Sequence, residues 1–287
     1  MGVTFHEYKF LDIISKNNTF GNILTIGRQE LILNKKDKIR LNINHELFHK
    51  QKFINNILID KFKAFSVQSV DNSNFENANI IADLNQPLTS NKDLFDTIID
   101  FGTSEHIFNA AQCLQNISNF CKPGGIILHS LPSNNNCGHG FWQFSPELFF
   151  SLYCEKNGFS ETEVYLFDAY NKYYIWKINK QEPGNRLELA SDVSLYLLVK
   201  TKKIKQETYQ KVQQSDYIFR WDEKNLKSKK VSKKILSFIW KSIKDAIKNF
   251  IFKFILPLKL SETLEGKKLL SKKYYLKSKY LNRIKIL

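Results

Sequence analysis

The sequence has few cysteines and no long apolar segment. Its 287 residues include four cysteines, none in a paired metal-ligand spacing such as Cys-x-x-Cys. No apolar stretch reaches the roughly 18 residues of a membrane span, and the first residues lack the uninterrupted apolar core of a signal peptide. These absences argue against a disulfide framework, a cysteine zinc site, a transmembrane protein and a secreted protein. We therefore expect a cytoplasmic chain with reduced thiols.

The positive charge is spread unevenly along the chain. Of the net charge of +15, residues 201–287 contribute 24 Lys and Arg against 7 Asp and Glu, whereas residues 1–200 hold 19 against 21. A hydrophobic content of 43%, with 14% aromatic residues, excludes a disordered or fibrous chain. This pattern predicts a folded body over residues 1–200 and a basic, largely helical extension over residues 201–287.

Apolar runs that alternate with helical periodicity predict an α/β fold. Residues 5–18 have the spacing of a helix, the stretch up to about Phe62 is largely helical, and a helix capped by Thr103 or Ser104 extends to Phe120. Ser145 and Pro146 mark the start of another helix. This alternation predicts a parallel sheet covered by helices on both faces. The predicted strands are residues 22–27, 64–71, 78–83, 95–102, 126–131, 163–168, 173–178 and 193–199.

The first four predicted strands end at a glycine, an acid or both. In chain order, these residues are Gly27, Asp71, Asp83 and the pair Asp100 and Gly102. Ligands of open α/β sheets bind at the carboxyl ends of the strands, so this edge predicts a cradle for a nucleoside joined to an amino acid. Glycine admits a ligand close to the backbone, and the carboxylates can accept ribose hydroxyls and an exocyclic amine. Each residue taken alone is also compatible with a turn or a helix cap.

Two motifs near the fourth and fifth strands carry a family resemblance. One is Phe-Asp-Thr-Ile-Ile-Asp-Phe-Gly-Thr-Ser-Glu-His over residues 95–106, and the other is the Pro-Gly-Gly turn at residues 123–125. Both are similar to motifs of class I S-adenosylmethionine-dependent methyltransferases. Residues 132–147 resemble a bacterial subgroup that often lacks an assigned substrate, some members of which occur among surface-polysaccharide genes. The resemblance covers about residues 20–160.

The resemblance implies a Rossmann-like domain that uses S-adenosylmethionine. The residues expected to bind the cofactor are Gly27, Arg28, Asp71, Asp83, Leu84, Asp100 and Gly102. The first motif departs from the family, since Thr25 replaces its acid and Gly27 is its only glycine. A dinucleotide-binding enzyme needs those glycines to approach a pyrophosphate, whereas S-adenosylmethionine has no phosphate, so the loss argues against NAD. Arg28 is expected to pair with the methionine carboxylate, or else to be an exposed surface residue.

Glu105, His106 and His139 are the candidate catalytic residues. His106 follows the fourth strand beside the expected methyl group and can remove a proton from an acceptor hydroxyl. His139 lies between two glycines and is a second candidate base or substrate contact. The resemblance also implies an alternative, in which Glu105 and His106 help to bind a divalent metal, although we expect no resident metal. In a third alternative both residues are purely structural. His129 lies inside a strand and is expected in the core.

The resemblance leads us to expect O-methylation of a sugar or glycan precursor. One alternative is a non-catalytic scaffold that has kept the fold, which the degenerate first motif allows. Another is nucleic-acid methylation through the basic extension, which is less favoured because the body has no basic groove. Residues 231–256 have one apolar face and many lysines, and they predict an amphipathic helix on the anionic inner face of the cytoplasmic membrane. The alternative is a helix docked on protein.

Overall fold

The computed structural model describes residues 2–43, 52–182, 184–187, 193–206, 212–222 and 281–287. The chain forms two compact units. The first comprises Met1–Lys180, Ser194–Val212 and Leu281–Leu287, and the second comprises Gln181–Val193 and Gln213–Tyr280. The predicted amphipathic helix over residues 231–256 lies outside the described residues.

The described part of the first unit contains eleven strands: β1 (Gly2–Val3), β2 (Asn22–Ile26), β3 (Glu30–Leu31), β4 (Ser66–Asp71), β5 (Ile80–Ile81), β6 (Phe95–Phe101), β7 (Cys121–Asn134), β8 (Phe159–Asp168), β9 (Tyr174–Ile178), β10 (Leu195–Lys203) and β11 (Leu281–Lys285). Nine of them form one sheet, in the order β11-β9-β8-β10-β7-β6-β2-β4-β5. A separate two-stranded sheet pairs β1 with β3.

The large sheet has a parallel half and an antiparallel half. Strands β5, β4, β2, β6 and β7 are parallel neighbours, whereas β10, β8, β9 and β11 continue the sheet in antiparallel pairs. The Rossmann-like α/β prediction is confirmed, but the expectation of a wholly parallel sheet is wrong. Apolar runs indicate that both faces of a strand are buried, and they do not determine which way that strand runs.

Six helices occur among the described residues: α1 (Phe5–Ser15), α2 (Lys35–Arg40), α3 (Asn55–Asp60), α4 (Ala110–Phe120), α5 (Pro146–Leu152) and α6 (Ser215–Trp221). The predicted helix start at Ser145 is confirmed, because its hydroxyl accepts from the backbone N of Glu147 at 3.2 Å. None of the described helices is long and apolar enough to cross a membrane. Within the second unit, Arg186 Nε forms a salt bridge with Asp216 Oδ2 of α6 at 2.7 Å.

The helix after β6 begins later than the sequence predicts. A short 3-10 turn, Ser104–His106, comes first, and α4 is capped by the side chain of Asn109 rather than by Thr103 or Ser104. The backbone N–H groups of Thr103 and Ser104 are instead bonded to the Asp100 carboxylate, both at 3.3 Å. These two bonds hold the turn against the end of β6, and the turn carries Glu105 and His106.

Candidate active site

A cavity of about 240 Å³ opens at the carboxyl ends of β4, β5 and β6. Asp71 ends β4, and Asp83 and Leu84 follow β5. Thr103 and His106, which follow β6, also line the cavity. The structure thus brings together three of the predicted cofactor residues with one predicted catalytic residue. The full lining is Val70, Asp71, Asn72, Ala82, Asp83, Leu84, Asn85, Thr103, His106 and Ile107.

The Asp83 carboxylate is held as an anion at the wall of this cavity. Its Oδ1 accepts hydrogen bonds from the backbone N and the side-chain Nδ2 of Asn85, at 2.9 and 2.8 Å. These two bonds favour the charged form and lower the pKa of Asp83 below its ordinary value. The side chain remains exposed and is therefore an available hydrogen-bond acceptor for a ligand in the cavity.

A second cavity, of about 220 Å³, lies beside the same 3-10 turn. Gly102 and Glu105 contribute from the carboxyl end of β6, and His139 from the loop after β7. The N-terminal segment contributes further polar groups. The full lining is Gly2, Thr4, Glu7, Ile32, Phe101, Gly102, Glu105, Ser130, His139, Phe167, Ala169 and Tyr196.

Residues 102–106 form a wall between the two cavities. Gly102 and Glu105 line the 220 Å³ cavity, whereas Thr103 and His106 line the 240 Å³ cavity. Gly102 adopts φ +87°, in the left-handed region that favours glycine. Successive residues of this turn therefore face two different ligand spaces.

The carboxyl group of Glu105 is fully buried and makes no hydrogen bond among the described residues. Its Oε1 lies 3.3 Å from His139 Nε2 and 3.8 Å from His106 Nε2, within ion-pair range but without hydrogen-bond geometry. Burial, and secondarily the nearby Asp100, raises the pKa of Glu105 to about 8. Burial and the proximity of His139 lower the pKa of His106. All three predicted catalytic residues therefore form one cluster.

The loop that carries His139 is fastened over Glu105 through the backbone. The backbone O of Glu105 accepts from the backbone N of Phe141 at 2.8 Å and from that of Trp142 at 3.2 Å. Trp142 Nε1 also donates to the backbone O of Ile107 at 2.9 Å. A Cβ on Gly140 would lie 2.8 Å from the backbone O of Glu105, so this close approach requires glycine.

Asp100 lines neither cavity, because its carboxylate is engaged inside the protein. Its Oδ1 accepts the two backbone bonds described above, and its Oδ2 accepts from Ser104 Oγ at 2.6 Å and from His129 Nδ1 at 2.8 Å. With Nδ1 as donor, His129 Nε2 accepts from the Tyr153 hydroxyl at 2.7 Å. The expectation that His129 belongs to the core is confirmed, since its side chain is fully buried.

Gly27 and Arg28 also lie outside the linings of both cavities. Gly27 has φ +70° and donates its backbone N–H to Val70 O at 2.7 Å. The Arg28 guanidinium stacks 3.9 Å above the Phe53 ring, and its Nη1 donates to Glu76 O at 2.6 Å. Its pairing with a methionine carboxylate stays a prediction.

The sequence did not reveal four polar residues of the second cavity: Thr4, Glu7, Ser130 and Tyr196. Thr4 and Glu7 form a capping box at the start of α1, a local pattern that is readable from the sequence. The contact that brings this helix to the site is not local, because Glu7 Oε1 accepts from Ser130 Oγ at 2.6 Å across 123 positions. A single sequence carries no signal for such a contact.

A family profile described as a methyltransferase domain matches residues 59–169. This match covers β4–β8 and both sides of the 3-10 turn. The chain carries a class I S-adenosylmethionine-dependent methyltransferase domain. The site fits this cofactor, because the 240 Å³ cavity has an ionised Asp83 and a second acid, Asp71, for a nucleoside. S-adenosylmethionine is therefore the methyl donor of the enzyme.

Solved structures show weaker similarity to this methyltransferase. The N-methyltransferase NodS from Bradyrhizobium japonicum WM9 is 14% identical with a TM-score of 0.37, over 70% of this chain and 97% of that one. The YcgJ protein from Bacillus subtilis is 10% identical with a TM-score of 0.37, over 70% of this chain and 100% of that one. These similarities are too weak to support any conclusion about the substrate. Among proteins with a curated description, none matches the chain.

Proposed function

We propose that the methyltransferase transfers the methyl group to a hydroxyl of a sugar or glycan precursor. The observation that carries the proposal is the wall at residues 102–106, which lies between a nucleoside-sized space and a second space whose lining includes Glu7, Glu105 and His139. In this arrangement the cofactor occupies the side of Asp71 and Asp83, and the acceptor occupies the side of Glu105. Direct displacement requires the acceptor oxygen to contact the methyl carbon, so we place the transfer at the edge of this turn, where the two spaces adjoin and positioning contributes much of the rate.

The polar lining of the second cavity favours an acceptor with several hydroxyls. Thr4, Ser130 and Tyr196 supply hydroxyl groups, Glu7 supplies a carboxylate and His139 an imidazole. Thr4, Glu7 and Ser130 are hydrogen-bonded to one another, and their oxygens keep lone pairs that an acceptor with several hydroxyls can use and an apolar acceptor cannot. A polyhydroxylated ring can satisfy several of them at once.

Glu105, His106 and His139 are the groups we place beside the reacting hydroxyl. Glu105 and His106 lie in the wall, His139 lies on the loop over it, and Glu105 and His139 line the acceptor side. The open cavity beside this cluster favours an active enzyme over a scaffold that has kept the fold. Nucleic acid is a less suitable acceptor, because Glu7 and Glu105 are acidic groups in the proposed acceptor space.

The test is methyl transfer by the full-length protein with S-adenosylmethionine labelled in the methyl group. The acceptor panel holds nucleotide sugars, free monosaccharides, small amines and polynucleotides. We expect S-adenosylhomocysteine and an O-methyl product from a sugar. The control variant is Glu161→Gln, which lies at an exposed site outside both cavities and should retain the activity. Transfer to amines or polynucleotides with none to sugars would overturn the assignment of the acceptor.

For the basic extension we propose reversible binding to the anionic inner face of the cytoplasmic membrane. The support is its charge, since residues 201–287 carry 24 Lys and Arg against 7 Asp and Glu. Lysines near an anionic surface contribute on the order of 1 kcal/mol each. The full chain is expected to sediment with anionic liposomes at low salt, and replacing Lys241, Lys244 and Lys248 by Glu should release it. The matched Lys→Arg protein should still sediment, and sedimentation unaffected by charge reversal would reject the proposal.

A further inference from the structure

We propose that Glu105, His106 and His139 together bind one first-row divalent cation of the Mn²⁺, Co²⁺ or Zn²⁺ type. The cation would lie at the wall between the two cavities, next to the hydroxyl that is methylated. This inference rests on the proposed function for its chemical role, whereas the binding of the cation rests on the geometry of the cluster alone.

The three ligand atoms lie near the spacing that the ligands of one ion adopt. One atom from each residue falls within 4.8 Å of the other two. Glu105 Oε1 is 3.3 Å from His139 Nε2 and 3.8 Å from His106 Nε2. Atoms that bind a single ion at about 2.0–2.2 Å stand roughly 3–3.5 Å apart, so small side-chain rotations complete the site.

The burial of the Glu105 carboxyl group is a second, independent observation that favours a bound cation. Its side chain is fully buried, and neither oxygen has a hydrogen-bond partner among the described residues. A buried carboxylate without partners is costly, and such groups are normally paired or bound to a metal. Asp100, five residues earlier, is equally buried and fully bonded, so local backbone geometry does not explain the deficit.

The two imidazoles leave one side of the cluster accessible. The side chains of His106 and His139 are 47% and 48% exposed, whereas that of Glu105 is 0% exposed. The protein therefore covers the cation from the Glu105 side and leaves coordination positions open towards the ligand spaces. Three protein ligands with open positions are typical of a catalytic metal site rather than a structural one.

The donor set determines the class of metal. Two imidazole nitrogens and one carboxylate oxygen suit first-row transition ions, whereas Mg²⁺ and Ca²⁺ prefer sites made of oxygen ligands. The same donor set also serves iron oxygenases, but methyl transfer exchanges no electrons with the metal. We therefore assign the cation the role of a Lewis acid.

In the proposed methyl transfer, one bond forms and one bond breaks at the methyl carbon. The acceptor hydroxyl, polarised by the cation, gives its proton to solvent, and its oxygen forms the new O–C bond to the methyl carbon. The S–C bond breaks with its electron pair remaining on sulfur, so the positive sulfonium becomes a neutral thioether. The products are a methyl ether, S-adenosylhomocysteine and one proton.

Cobalt binding tests the site without reference to activity. The full-length protein is stripped with a chelator and titrated with Co²⁺ while its visible absorption bands are recorded, and Zn²⁺ and Mg²⁺ are then added as competitors. We expect one Co²⁺ per chain, displacement by Zn²⁺ and little effect of Mg²⁺. Glu105→Gln and His139→Asn should each weaken Co²⁺ binding by at least about 100-fold. Loss of a residue that only hydrogen-bonds to a metal ligand already weakens metal binding by about 10–100-fold, and loss of the ligand itself should cost more.

Glu161→Gln is the matched control, because it removes an exposed carboxylate from β8 and should leave the titration unchanged. Absence of stoichiometric Co²⁺ binding, or binding that survives both Glu105→Gln and His139→Asn, overturns the inference. If the metal binds but no sugar is methylated, the proposed acceptor fails and the metal site stands. If sugar methylation proceeds undiminished after chelation, the cluster acts as a base and the role of the metal is rejected.

Discussion

Asp100 and Glu105 are two fully buried acids that lie five residues apart near the end of β6, yet they differ in how many hydrogen bonds their carboxyl groups accept. The Asp100 carboxylate accepts four hydrogen bonds, from two backbone N–H groups, one hydroxyl and one imidazole. The carboxyl group of Glu105 accepts none among the described residues and lines a cavity. A satisfied buried acid organises the fold, whereas an unsatisfied one at a cavity indicates a ligand.

The contrast also separates stability from activity. Asp100 ties Thr103 and Ser104 to the end of β6 and holds His129, so it supports the turn from inside. Glu105 contributes its backbone O to the loop above, but its side chain makes no hydrogen bond with the described part of the chain. Substitutions at these two positions should therefore be distinguishable by which property they change.

The largest expected effect is the loss of stability in Asp100→Ala. Removing one partner from a buried, hydrogen-bonded pair costs about 3–5 kcal/mol, because the remaining groups stay buried without partners. Urea unfolding followed by tryptophan fluorescence should show this decrease in the free energy of unfolding. Glu105→Gln is the comparison, and its free energy of unfolding should stay within about 1 kcal/mol of the parent protein, since no hydrogen bond of the side chain is lost. An equal decrease in both variants would refute the contrast.

Asp71 extends the comparison to an acid that faces the cofactor space. It ends β4 and lines the 240 Å³ cavity together with Asp83 and Leu84. We expect Asp71→Ala to weaken S-adenosylmethionine binding at least tenfold, about 1.4 kcal/mol, because a carboxylate that accepts ribose hydroxyls is removed. Calorimetric titration measures the change. Asp60→Ala, at an exposed acid that ends α3, should bind the cofactor as the parent does, and an unchanged affinity of Asp71→Ala would remove Asp71 from the cofactor site.

The sequence was sufficient to predict the half of the fold that positions the cofactor. Short apolar strands ending in Asp71, Asp83 and Gly102 mark the edge of a parallel sheet, and the structure places all three residues at cavities. That prediction succeeds because strand direction and ligand position are linked in open α/β sheets. It does not extend to β8–β10, where the apolar pattern is the same but the strands are antiparallel.

The role of individual side chains was less accessible from the sequence. Asp100 and Asp83 both follow an apolar run, yet one bonds His129 inside the core and the other faces a cavity. The difference depends on which side chains pack above the strand end, and those come from distant parts of the chain. The same holds for Glu7, which reaches the acceptor space through its contact with Ser130.

The smallest expected effect concerns the backbone above Glu105, where two glycines flank His139. Gly140 has φ +79°, and a Cβ there would lie 2.8 Å from the backbone O of Glu105 and 2.9 Å from its Cγ. A Cβ on Gly138 would meet no atom of the residues that the structure describes within 4 Å. Gly140→Ala should therefore lower the free energy of unfolding by about 1 kcal/mol, because alanine disfavours the left-handed backbone at this position. The added methyl group should also displace His139 from Glu105.

We expect a severalfold loss of Co²⁺ affinity and of methyl transfer in Gly140→Ala, with S-adenosylmethionine affinity preserved, because Gly140 does not line the 240 Å³ cavity. Gly138→Ala is the matched control: it adds the same methyl group on the other side of His139 and should behave as the parent protein. Parallel Co²⁺ titrations and rate measurements decide the outcome. If both alanine variants lose activity equally, the loop needs flexibility on both sides of His139, and the close fit over Glu105 is not what positions the imidazole.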